Sequence, residues 1–473
     1  MPSKRIALST LPVVCFVAGA AHGYDSGSTG ADGALCLGDR VRSGDGLTCV
    51  PGTGETSLVV QLPPNGILNH TTVYVGPNAT LSFRRNAANT PVYLLASGDV
   101  TVWGTIDVSG SPGACAYTTD YSPTAVADLV CWGGLGGPGG DDGGSLGPVG
   151  ASDGLGPEAG GHSGAGLDDT GSDVCAGGGG AGPTVQGQFG GCRDDGLCAE
   201  AGEALTDVGW RYAHGGSGGG AAFMYWGADP SGSDVEAGGG GGGALIIASS
   251  GRIGMYGYLL ALGAARGYRG GGGGGGLLRL VADEVTSNDG GTQYTAALFA
   301  NSSCQYAPWS SAPFCTPFVD QLGACGAPGV IEIETLDASR LLTTGTPTVH
   351  FGSPRDALPW GESQVQQPRI TISKIGGLDV PALPPTAHPH KQPVVTLPTG
   401  VALTVEIEAA WVPTTVQVFV GLNTVGLGRS SVAAVIEPGS TLASSTWKAQ
   451  ITVPAGTRLG DLQAWVPRID VVE

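Results

Sequence analysis

The sequence predicts an all-β fold in two parts: a solenoid of stacked short strands broken by long glycine-rich insertions, then a small antiparallel β-sandwich. Three observations point there. Glycine supplies 86 of 473 residues, well over twice its usual share, while apolar residues at 41% and charged residues at 13% leave enough apolar surface to bury a core. The stretch 92–110, VYLLASGDVTVWGTIDVSG, recurs without a gap at 245–263 as LIIASSGRIGMYGYLLALG. Toward the C-terminus the glycine thins out and short strands alternate with turns. Collagen is excluded, because runs such as Gly270 to Gly276 break its period of three.

At the N-terminus, Lys4 and Arg5 precede an apolar stretch from Ile6 to Ala20, with small residues at Ala18, Ala20, Ala21 and Gly23. That is the layout of a secretory signal peptide over 1–23, cleaved after Ala20 or Gly23. Val14 is too bulky for lipoprotein processing at Cys15. No later segment reaches the ~18 uncharged apolar residues of a membrane span. The expectation is a secreted or cell-surface protein with no membrane span after cleavage.

Ten cysteines remain beyond Cys15, an even number suited to disulfides in an oxidising compartment. Cys36 and Cys49 are neighbours, as are Cys115 and Cys131; Cys175, Cys192 and Cys198 form one triple and Cys304, Cys315 and Cys325 another. If all ten pair and the doublets pair locally, each triple leaves one cysteine over. A bridge must then join the 175–198 segment to 304–325. The spacings are not C-x-x-C and carry no histidine pair, so zinc is not expected.

The solenoid should occupy 24–340. The two repeat copies place glycine at equivalent positions, Gly98 with Gly251, Gly104 with Gly257 and Gly110 with Gly263. Val100, Val102, Ile106 and Val108 alternate with polar or aromatic neighbours, the period of a strand with one buried face. Ile253, Met255, Leu259 and Ala261 keep that phase in the second copy. Weaker copies begin at Leu277 and Val330. Units that cannot each bury a face alone are what a solenoid stacks into one core.

Leu94 to Gly110 and Gly238 to Ser250 resemble a phrase of exported, glycine-rich bacterial surface proteins: strand, Ala-Ser-Gly, strand, Gly-Thr-Ile-Asp-Val-Ser-Gly, long glycine loops, then a glycine run entering a strand. The resemblance covers roughly 55–340 and implies a right-handed parallel β-helix, with no particular activity attached. This chain departs from it in having few copies and very long insertions.

The largest insertion, 111–237, holds clusters such as GGLGGPGGDDGG. Chains lacking Cβ can lie side by side as extended threefold helices and hydrogen-bond laterally, so packed glycine strands flanking the solenoid are one expectation and a flexible covering loop the other. A short helix at 198–213 would be weakened by Gly202 and Gly209. A linker, partly proline-rich, is expected over 341–392. An immunoglobulin-like β-sandwich should follow at 393–473, held by its apolar core because it lacks cysteine.

The net charge is −19, which fits a soluble exported surface and argues against nucleic acid, whose phosphates need clustered Lys and Arg. Motifs for chemistry do not rise above composition. GGSGG around Ser217 has the pattern of a nucleophile elbow but no strand-to-helix context, and His162 with Ser163 is similar. GGPGGDDGG places Asp141 at a calcium-ligand position, yet Gly143 stands where an apolar plug is needed. The acidic pairs Asp141 and Asp142, Asp168 and Asp169, and Asp194 and Asp195 could serve glycoside chemistry only at a set separation. No catalytic, cofactor or metal site is therefore expected. Trp103, Tyr256 and Tyr258 project from the outer face in this register and could hold sugar rings, unless the insertion buries them. The expected protein is a structural or adhesive cell-envelope component whose partner is an extracellular polysaccharide. The alternatives are a polysaccharide lyase or glycoside hydrolase on the same scaffold, marked by acids and Arg or Lys clustered in a groove, and a calcium-stabilised matrix protein.

Overall fold

The structure, a computed structural model, describes residues 23–38, 56–117, 129–147, 150–156, 179–180, 186–187, 202, 215–222, 237–264, 270–302, 325–347, 349–358, 369–380, 397–410, 412–424, 428–455 and 460–465. Every regular element among them is a β-strand. Residues 1–22 of the signal-peptide stretch, and all of the helix considered at 198–213 except Gly202, fall outside the described residues.

The internal repeat becomes two successive coils of a parallel stack. Leu245 pairs with Val92, Ile253 with Val100 and Leu259 with Ile106, the register that the ungapped match requires. The weaker copies continue it: Leu277 pairs with Ala244 and Val330 with Leu277. Three ladders run along the stack. The first holds Ile67–His70, Val92–Ala96, Ala244–Ser249, the start of Leu277–Thr286, Val330–Asp337 and Val349–Gly352. The second holds Leu35–Leu37, Val73–Val75, Val100–Val102, Arg252–Met255 and the end of Leu277–Thr286. The third holds Ser57–Gln61, Thr80–Arg84, Thr105–Asp107, Tyr258–Leu260, Ala296–Phe299 and Thr343–Thr346.

Period-two alternation decides which side chains enter the core. Val100, Val102, Ile106, Val108, Ile253, Met255, Leu259 and Ala261 are all buried in a single cluster fed by all three ladders. The outer face of the first ladder is covered as well. Tyr93, Leu95, Ile246, Ala248 and Val281 pack there against Tyr24, Ala357 and Leu358.

The glycine runs are packed structure. Gly238 to Gly243 donate to three neighbouring segments in strict rotation: Gly238 and Gly241 to the carbonyls of Gly144 and Asp141, Gly239 and Gly242 to Gly271 and Gly274, Gly240 and Gly243 to Ser111 and Val108. Their carbonyls rotate likewise, accepting from Gly134 and Gly137, from Gly219 and Gly216, and from Ala264 and Leu277. A repeat of three residues per turn is that of an extended polyproline-type helix, which forms no internal hydrogen bonds and turns every polar group outward. Each peptide group in the run thus bonds to neighbouring chain, which satisfies a buried backbone that could not otherwise persist.

What demands glycine here is the absent Cβ. None of Gly238 to Gly243 or Gly270 to Gly276 has a positive φ, so the backbone is open to any residue. A Cβ on Gly241 would strike the carbonyl of Gly216, and one on Gly273 the carbonyl of Gly240, both within 3.0 Å, a separation real Cβ atoms essentially never show. The insertion over 111–237 therefore includes packed glycine strands at 133–144 and 215–222, which bond laterally to the run from Gly238 to Gly243. It also contains a small antiparallel sheet, Ala114–Tyr117, Leu129–Trp132, Leu146–Gly147 and Gly150–Ala151.

Cys36, Cys131 and Cys325 are disulfide-bonded, and Cys115 lies opposite Cys131 in strand register. Gly180 donates to Gly272 and accepts from Ala327, and Gly202 donates to Gly179, so the flanks of the two cysteine triples meet in the bundle. Cys49, Cys175, Cys192, Cys198, Cys304 and Cys315 fall outside the described residues.

The C-terminal part consists of two antiparallel sheets. One contains Leu378–Asp379, Arg369–Ile375, Ala402–Ala410, Ser445–Thr452 and Val435–Ile436; the other contains Gly428–Ala433, Phe419–Thr424 and Gly460–Trp465. Ile372, Val405, Ile407 and Trp447 from the first share a core with Val420, Leu422 and Leu462 from the second. This corrects the expected linker over 341–392. Thr343–Thr346 and Val349–Gly352 extend the parallel stack, and Arg369–Ile375 pairs along Ala402–Ala410 inside the sandwich. Alternation of Ile370, Ile372 and polar neighbours is enough to bury one face before the proline-rich stretch begins.

Candidate functional site

The three candidate sugar-binding aromatics do not form one surface. Trp103 stacks on Tyr256, with ring centroids 4.1 Å apart and planes 22° from parallel. Tyr294 on the next coil closes on both edgewise, at 4.8 Å and 5.5 Å. In-register stacking places one aromatic above the next, and offset and edge contacts between them add stability beyond simple burial. Gly254 makes room for this corner, since a Cβ there would meet the Tyr256 ring at 2.9 Å. Trp103 and Tyr256 are therefore half-buried corner packing. Tyr258 lies on the next strand, Tyr258–Leu260, and is 52% exposed.

Tyr258 belongs to the outer face of the third ladder. Its row in register is Ser57, Thr80, Thr105, Tyr258, Ala297 and Thr344; the parallel row is Val59, Ser82, Asp107, Leu260 and Phe299. The residues between them, Leu81, Ile106, Leu259 and Leu298, point inward and are fully buried. Asp107 also accepts from the backbone N–H of Ser109 at 2.8 Å.

Among the described residues, the densest group of charges lies toward the C-terminal end of the first ladder. Glu332 and Glu334 occupy alternate, outward positions on Val330–Asp337, and Arg279 sits beside Glu332 in register on the preceding coil. Arg355 reaches back from the covering segment. Glu334, fully buried, accepts from Arg279 Nε at 2.9 Å and Nη2 at 3.0 Å, and from the Arg355 N–H at 2.8 Å, Nη2 at 2.7 Å and Nε at 3.2 Å. Glu332 pairs with Arg355 Nη2. Burial opposes ionisation of Glu334, but the hydrogen bonds and charges of the two arginines outweigh it and hold its carboxyl below the usual range. Burial, reinforced by the charge of Glu334, pushes the Glu332 carboxyl up. In the sequence, Glu332 and Glu334 read only as the outward half of a strand that turns Ile331 and Ile333 inward. Stacking LLRLV under VIEIE would have placed Arg279 beside Glu332.

Other sequence candidates resolve locally. Ser217 is buried within the extended glycine segment 215–222, and its carbonyl accepts from Gly274; a nucleophile elbow needs a strand-to-helix turn there. Asp142 pairs with Arg85 and accepts from the Gly136 N–H at 2.8 Å, while Asp141 is buried beside it. His162, Ser163, Asp168, Asp169, Asp194 and Asp195 fall outside the described residues. Among the described residues no three His, Cys, Asp or Glu side chains converge as a metal cage requires, and no helix is long and apolar enough to cross a membrane. A shallow groove of about 770 Å³ on the sandwich is lined by Thr404, Glu406, Lys448 and Gln450; Gln450 donates to Thr404 at 2.8 Å and Lys448 pairs with Glu437 at 3.5 Å.

The chain matches no protein-family model, no curated protein and no solved structure. Fold and geometry place it in the class of all-β proteins built from stacked parallel coils.

Proposed function

We propose that the chain is an exported structural or adhesive component of the cell envelope without a catalytic centre: a right-handed parallel β-helix, stiffened by a glycine bundle and carrying an immunoglobulin-like module. The observation that carries this reading is the bundle itself. Gly238 to Gly243 use all their N–H and C=O groups on neighbouring backbone, so the described glycine segments 133–144, 215–222 and 238–243 form a laterally bonded scaffold in which backbone, not side chains, makes the contacts. Right-handed coiling is supported by the strong preference of parallel strand connections for that hand, and the immunoglobulin-like reading by two antiparallel sheets sharing one core around Trp447. Disulfide-bonded Cys36, Cys131 and Cys325 favour an oxidising compartment.

The enzyme alternative would rest on Glu332, Glu334, Arg279 and Arg355. A general acid or base must reach its substrate, whereas Glu334 is fully buried and its oxygens are filled by five donors. Incubating the protein with a panel of polysaccharides and measuring new reducing or unsaturated ends tests the reading. No products are expected; product formation abolished by Glu332→Gln would overturn it.

A further inference from the structure

The three ladders differ in what covers their outer faces. Tyr24, Ala357 and Leu358 cover the first. On the second, Tyr74 and Thr286 are buried and the Tyr256 ring lies over Gly254. The third is the more open: Tyr258 is 52% exposed, Val59 is 55% exposed, Ser57 and Thr344 are exposed as well, and Thr80, Ser82, Thr105, Asp107 and Phe299 are half-buried, with Ala297 alone buried in the two rows.

Charge sets this face apart from the rest of the molecule. The chain carries −19 overall, yet the outward positions of the third ladder hold a single acid, Asp107, and a single base, Arg84. An anionic polymer would be repelled by the molecule as a whole and find no basic patch here. A cationic partner would find more acid elsewhere.

Hydroxyls and rings divide the face between them. Ser57, Thr80, Thr105 and Ser82 line the coils on the N-terminal side, while Tyr258 and Phe299 stand diagonally on adjacent parallel strands beyond Thr105. Aromatic faces suit the C–H faces of sugar rings, and neighbouring hydroxyls and a carboxylate suit sugar hydroxyls. In-register stacking repeats the rows every ~4.7–4.9 Å along the stack, so the site has the form of a strip and suits a polymer.

We propose that the outer face of the third ladder is a binding strip for an uncharged polysaccharide laid along the stack, with Tyr258 as the ring platform and Thr105, Ser82 and Asp107 as its hydrogen-bonding partners. This rests on the adhesive-scaffold reading and names its ligand class.

The test is affinity electrophoresis and pull-down of the full chain with uncharged polymers (cellulose, chitin, a soluble β-glucan) and anionic ones (alginate, polygalacturonate), at low and high salt. The variants are Tyr258→Ala and Thr105→Arg, each checked by thermal melting. The expected result is salt-insensitive binding to at least one uncharged polymer, weakened roughly tenfold by Tyr258→Ala, a loss of the size of an aromatic contact, with melting unchanged. No binding to any uncharged polymer, binding that both variants leave intact, or binding only to anionic polymers that high salt abolishes would each overturn the strip. Chain cleavage in the same samples would instead count against the non-catalytic reading, so the two failures are distinguishable.

Discussion

Glu332 and Glu334 are two residues apart on one strand, yet their surroundings give them opposite titration behaviour. Glu334 has a lowered carboxyl pKa in the fold, so the stability it contributes is present above the ordinary value of 4.5 and is lost as pH falls through its folded value. Glu332 has a raised one, so between 4.5 and that raised value the fold loses stability as pH rises. Replacing Glu334 by Gln leaves buried Arg279 without its full partner and should cost about 3 kcal/mol at neutral pH. Glu332→Gln should slightly raise stability there and should flatten the decline above pH 4.5. Chemical denaturation of both variants across pH checks the signs. At this scale the sequence was least legible: Arg355 reaches Glu334 from 21 residues away, a contact that no local pattern announces. The aromatic corner shows the same limit, because outward phase alone could not tell half-buried Trp103 and Tyr256 from exposed Tyr258.

At the scale of elements the sequence was far more legible. In a parallel in-register stack equivalent residues must lie on one another, so an ungapped repeat is already a register. The pairing of Ile253 with Val100 and Leu259 with Ile106 follows from it directly. The preceding coil was missed as a copy. There Val75 and Thr80 are joined through Gly76, Pro77, Asn78 and Ala79, where the next coil needs only Trp103 and Gly104 between Val102 and Thr105. Asn78 takes φ 62° in that longer turn. Two extra residues suffice to break an ungapped comparison. The glycine runs were legible as runs, but their alternatives differ in stability. Loose connectors would tolerate β-branched residues, which also restrict the unfolded chain. In the bundle, a Cβ at Gly241 or Gly273 meets a carbonyl oxygen. The double variant Gly241→Val and Gly273→Val should lose at least about 2 kcal/mol, an overpacking cost, seen as a lower melting midpoint.

The whole molecule joins two all-β parts that solve burial differently. The parallel stack covers its core with coils and a lattice of backbone, while the sandwich closes two antiparallel sheets over Ile407, Val420 and Trp447. Composition located both parts but drew their boundary too late, because Arg369–Ile375 precedes the proline-rich stretch and still belongs to the sandwich. A proline-rich segment looks like a linker whether it joins domains or two strands of one domain. What distinguishes this molecule is that side-chain-free backbone, hydrogen-bonded on a three-residue period, forms interior structure beside a conventional apolar core. Amide hydrogen exchange followed peptide by peptide reads that property most directly, since exchange reports whether each N–H is held by a partner. Protection of Gly238 to Gly243 and Gly270 to Gly276 equal to that of Ala244–Ser249 is the predicted result. Exchange of those glycines at the rate of an unstructured chain, with Ala244–Ser249 protected, would contradict it.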